Sequence, residues 1–117
     1  MPCELIANTQ ERIRKSLRAL LESRADLEVC EAASGQEAIE QVRQLKPDLV
    51  ILDVSAPMLT LGFDTAREIR KIAPQTGLLI MSIDHTSGHI EQAHKIGARG
   101  YIVKAEAGDT FDLKVVV

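Results

Sequence analysis

Short, uninterrupted aliphatic runs, each followed by a stretch of helical periodicity, restrict this chain more than any other feature. Leu49-Val50-Ile51-Leu52, Leu78-Leu79-Ile80-Met81 and Tyr101-Ile102-Val103 are too short for helices and too uniformly apolar for strands with one wet face. They read as strands buried on both sides, which need helices above and below. The intervening stretches supply those helices. From Gln10 to Arg24, apolar residues recur at Ile13, Leu17, Leu20 and Leu21, the stripe of an amphipathic helix that follows a first strand at Glu4-Leu5-Ile6-Ala7. Leu27 to Ala32 alternates like a strand at a sheet edge. Ser34 can cap a helix running to about Leu45, with Ala38, Ile39, Val42 and Leu45 inward and Pro47 as its stop.

The third strand, Asp48 to Leu52, leads into a loop as far as Gly62 and a helix from Phe63 to Ile72. After a break at Ala73 to Gly77 come the fourth strand, a weaker helix from Gly88 to Ile96, a turn at Gly97 to Gly100, and the fifth strand. Strict alternation of strand and helix, with right-handed crossovers, predicts an α/β fold. Specifically, it predicts a flavodoxin-like, doubly wound, five-stranded parallel sheet of order 2-1-3-4-5. At 117 residues, positions 1–117 are expected to form one domain.

Composition narrows the function classes. Aromatic residues are only 3% and the formal net charge is -3, which disfavours base stacking and a general affinity for phosphate backbones, so no nucleic-acid partner is expected. No apolar run approaches the roughly 20 residues that cross a bilayer, and the start of the sequence lacks a secretion signal. The expectation is a cytoplasmic protein without a membrane partner. Cys3 and Cys30 lack metal or redox spacing and read as reduced thiols that approach without a disulfide.

Three polar residues end separate apolar strands: Asp53 after Leu52, Ser82 after Met81, and Lys104 after Val103. The carboxyl ends of parallel strands are where open α/β sheets build their sites, so an acid, a hydroxyl and an amine are expected at one edge. Singly, each is an ordinary strand-end polar group, and Asp53 alone reads equally well as a turn cap.

Together with Pro57, the segment Gly97-Ala98-Arg99-Gly100-Tyr101-Ile102-Val103-Lys104 and Arg18-Ala19-Leu20-Leu21 in the first helix, this set resembles the receiver domain of bacterial two-component response regulators, from about residue 3 to 105. The resemblance implies that Asp53 accepts a phosphoryl group from a phosphohistidine, with Ser82 and Lys104 contacting phosphoryl oxygens. It implies Ser82 and Tyr101 as switch residues, although a lone tyrosine beside a core also reads as fixed packing. It further implies a magnesium ion bound by Asp53, the Ser55 backbone carbonyl and the end of the first strand. The partner it implies is a sensor histidine kinase or phosphotransfer protein.

Two departures matter. The family ends its first strand in two adjacent acids, whereas this chain has Asn8 and Thr9. Without those charges, Asp53 and Lys104 balance one another, and a neutral pocket holds magnesium weakly or not at all. Asn8 could lend an amide oxygen, and Glu11 is a remote substitute. The expectation is a standing Asp53–Lys104 ion pair and impaired phosphorylation, with a phosphorylation-independent interaction or dimerisation module as the alternative. In addition, Met58-Leu59-Thr60-Leu61 is unusually apolar for a loop, and is expected to be partly buried rather than an exposed lip. After Lys104 a short or truncated fifth helix of about two turns from Asp109 is expected, although Val115-Val116-Val117 prefers a strand. Apolar surface left uncovered would favour a homodimer.

Nothing resembles a glycine-rich phosphate loop or a Ser/His/Asp set, so no enzyme is expected. His85, His89 and His94 read as solvated rather than metal-binding. Arg12, Arg14, Lys15 and Arg18, interleaved with Glu11 and Glu22, read as a solvated helix face.

Overall fold

A computed structural model describes residues 3–8, 11–22, 28–54, 59–82, 87–104 and 111–114, with side chains described except at 20, 59–61, 87, 89, 102–104 and 111–114. Its elements run β1 (Cys3–Ala7), α1 (Glu11–Glu22), β2 (Glu28–Ala32), α2 (Gly35–Leu45), β3 (Leu49–Asp53), α3 (Leu59–Ile72), β4 (Gly77–Ser82), α4 (Ser87–Ile96), β5 (Gly100–Lys104) and β6 (Phe111–Lys114). β1 to β5 form a parallel sheet of order 2-1-3-4-5, as the alternation requires, and β6 extends it beyond β5.

The sheet buries both faces because its central strands are aliphatic throughout. On one face, Leu5, Ala7, Val50, Leu52, Leu78, Ile80 and Tyr101 pack against Ala38 and Val42 of α2, Phe63, Ala66 and Ile69 of α3, and Ala93 of α4. On the other, Ile6, Ile51 and Met81 meet Ile13 and Leu17 of α1. Among the described residues, three helices therefore cover one face and one covers the other.

Local signals set several boundaries. Ser34 accepts a hydrogen bond from the Glu37 backbone N–H at 3.1 Å and starts α2. Lys46 ends it in the left-handed region at φ 47°, donating its N–H to the Val42 carbonyl. Leu45, expected inward, is 42% exposed at the last residue of α2. Cys3 and Cys30 are free and half-buried on neighbouring strands. Burial, followed by the adjacent Cys30 and the acids Glu28 and Asp48, pushes the Cys3 thiol up to about 11.

Two of the expected elements change. The third helix starts at Leu59 rather than Phe63. Leu59-Thr60-Leu61 holds no helix breaker, and Gly62 is inside the helix because of a close approach rather than a turn. A Cβ there would lie 2.8 Å from both Cα and Cγ1 of Val54. The side chains of 59–61, and Met58 itself, lie outside the described residues, and so does the expected burial of that segment.

The second change concerns the tail. In place of a short fifth helix, Phe111–Lys114 pairs antiparallel with β5, Lys104 with Phe111 and Tyr101 with Lys114. A helix of two turns is marginal by itself, whereas the open edge of β5 offers a full set of backbone partners. Asp109 and Val115 to Val117 lie outside the described residues.

Gly62→Ala should destabilise the protein by about 1–3 kcal/mol despite alanine's better helix propensity, because the added methyl meets backbone that cannot rotate away. Urea denaturation of the two proteins measures it.

Candidate functional site

Register places the site. Ala7 pairs with Leu52, so the next step along β1, Asn8, stands beside Asp53. Asp53 in turn pairs with Met81, which puts Ser82 one step further out, and Ser82 pairs with Val103. The backbone of Lys104 therefore ends β5 two steps beyond the level of Asp53. Hydrogen bonds from Asn8 N to the Ala32 carbonyl (3.0 Å) and from Val54 N to the Met81 carbonyl (2.8 Å) carry the ladder past the strand ends and hold this rim in place.

Asn8 Nδ2 donates to Asp53 Oδ2 at 2.6 Å, a short, charge-assisted contact. Asn8 and Ser82 are buried, and Asp53 is half-buried. Tyr101 is 1% exposed, paired with Ile80 and part of the same core cluster as Ala93. The expected Asp53–Lys104 ion pair and the Ser55 carbonyl lie outside the described residues. Asn8, Asp53 and Ser82 come together at the carboxyl rim, and Tyr101 lies inward of it.

Among the described residues, the rim offers a divalent cation the Asp53 carboxylate beside an amide. A cation needs oxygen donors and negative charge, but the first strand ends in an amide whose N–H₂ group already points at the carboxylate. Among the described residues, no three His, Cys, Asp or Glu side chains are grouped to hold a metal. His94 is exposed; His85 and the side chain of His89 lie outside the described residues.

Charge patterning alone missed a second layer. Arg14, read as part of a solvated face, is only 15% exposed; its Nη1 donates to the Asn8 carbonyl at 2.7 Å and its Nε to Glu31 at 3.0 Å. Arg18 donates to the other Glu31 oxygen at 2.7 Å. A signal was available: Arg14 and Arg18 are four apart and adjoin the buried Ile13 and Leu17, so their stems must run along the sheet toward edge strand β2. Hydrogen bonds from Arg18 and then Arg14 outweigh burial and hold the Glu31 carboxyl below the usual carboxylate range.

A depressed carboxyl stabilises the fold above its unfolded value, about 4.3, and loses that contribution as pH falls through the lower folded value. Glu31→Gln should cost about 0.5–1 kcal/mol at pH 7. Thermal melts from neutral pH downward should show the two proteins converging once the glutamate is protonated.

Comparison with known proteins agrees with this fold. The profile of the response regulator receiver domain matches residues 5–115. The chain is 35% identical over 101 residues to the chemotaxis protein CheY of Thermotoga maritima, spanning 86% of this chain and 82% of that protein. It is 33% identical over 107 residues to the transcriptional regulatory protein LnrK of Bacillus subtilis, spanning 91% of this chain but 48% of that protein. It thus spans about half the length of several of the regulators it matches. Among solved structures, chemotaxis protein CheY4 of Vibrio cholerae superimposes with a TM-score of 0.80 at 27% identity, covering 92% of this chain and 89% of that one. The response regulator domain of Thermotoga maritima CheB gives 0.79 at 25% identity, covering 92% and 81%.

Proposed function

The chain belongs to the response regulator receiver domain family, and on that premise we propose that Asp53 is its phosphoacceptor, in a site whose magnesium binding is impaired. The observation that carries this reading is the 2.6 Å hydrogen bond from Asn8 to Asp53. Phosphoryl transfer to a carboxylate is in-line displacement in which positioning and charge neutralisation do most of the catalysis. Asp53 is the nucleophile, the buried Ser82 hydroxyl is a donor for a phosphoryl oxygen, and Lys104 is the cation.

The amide changes the resting state. It satisfies one carboxylate oxygen, adds no negative charge, and so both occupies Asp53 and leaves a divalent ion little to bind. Arg14 supports it from behind by fixing the Asn8 carbonyl. Phosphorylation is accordingly slow, and Tyr101 and Ser82 are the residues through which it would be read out. A sensor histidine kinase or phosphotransfer protein is the donor, in keeping with a family that works in signal transduction by protein contact. The Asn8–Asp53 bond favours one second reading, a receiver that acts by contact alone without being phosphorylated.

The test is labelling by a small phosphodonor with magnesium. Wild type should label slowly and substoichiometrically, Asn8→Asp/Thr9→Asp at least about tenfold faster, and Asp53→Asn in either background not at all. Rapid, stoichiometric labelling of the wild type would refute impairment; an unlabelled double variant would favour the contact-only reading.

A further inference from the structure

β6 lies at the end of the sheet order and, among the described residues, pairs only with β5. A strand in that position presents a row of backbone donors and acceptors that another strand can extend. The opposite edge is protected against this. β2 carries Glu28 and Glu31, so a second β2 laid beside it would bring like charges together, and Glu31 is already engaged by Arg14 and Arg18. β6, Phe111-Asp112-Leu113-Lys114, has one charge of each sign and no proline.

We infer that the outer edge of β6 is a dimerisation edge on which a second copy of this chain lays its own β6 antiparallel, about a two-fold axis at Leu113. Antiparallel pairing of a strand with itself is the edge contact that closes, since each copy offers the other the same surface. The axis stands perpendicular to the sheet and keeps each face on its own side, so only registers centred on a residue preserve the alternation of the strand; a one-residue slip would oppose residues from different faces. Centring on Asp112 sets that acid against itself, and centring on Lys114 does the same for the amine. Centring on Leu113 sets Asp112 of each copy opposite Lys114 of the other, so it is the register in which both charges meet their complement. The product is a continuous sheet running through both copies. The inference is independent of the Asp53 reading and does not call on its chemistry.

Sedimentation velocity across a concentration series, without phosphodonor or magnesium, tests it. Wild type should dimerise reversibly. Asp112→Lys and Lys114→Asp should each raise the dissociation constant by about tenfold, and Asp112→Lys/Lys114→Asp should return it to within about threefold of wild type. Circular dichroism checks that each variant is folded. If a single exchange unfolds the chain, raising salt on wild type decides, since opposite-charge pairs across the strands weaken with ionic strength. A wild type that stays monomeric at about millimolar concentration, a double exchange as weak as the singles, or a salt-insensitive dimer would overturn the inference.

Discussion

Everything at the rim depends on the pairing of β1 with β3. Both strands lie inside the sheet, and Leu5, Ile6 and Val50 are fully buried between its two helical layers. A strand buried on both faces cannot slip by a residue without exchanging which side chains meet which helices. Ala7 is therefore locked against Leu52, and Asn8 arrives beside Asp53 by the ladder alone. The short hydrogen bond between them is a consequence of core packing many residues away.

What the rim can do then follows from charge rather than shape. An amide is close in size to a carboxylate, so its effect at this position is electrostatic. An acid there would repel Asp53, whereas the Asn8 amide is a donor that binds Asp53 directly. The guanidinium of Arg14 sits behind this contact and links it to Glu31 on the edge strand, so the site and the flank of the sheet share one polar network. This layer has two anchors on α1, since Arg18 holds the second oxygen of the same glutamate.

The parallel core was legible because its evidence is local and repeated. Each of β3, β4 and β5 announces itself as an aliphatic run, Ser34 caps where capping chemistry predicts, and the polar strand ends mark the rim before any coordinate is known. What escaped depends on contacts distant in sequence. Gly62 looks like the end of a loop until the backbone of Val54 is seen pressing against it. Phe111 to Lys114 is ambivalent by propensity, and the free edge of β5 decides its state. Arg14 and Arg18 belong to an ordinary charged helix face when read along α1, and only the position of Glu31 across the gap turns them inward. The direction of the Asn8 amide, donor toward Asp53, likewise follows from its neighbour and not from its own neighbours in the chain.

The thiol of Cys3 has a practical consequence. With its ionisation pushed to about 11, little of this thiol is ionised at pH 7, and the thiolate is the form that attacks alkylating reagents and peroxide. This sulfur is chemically quiet in ordinary buffer, so a spectroscopic reporter attached through a cysteine engineered at an exposed position would face little competition from it.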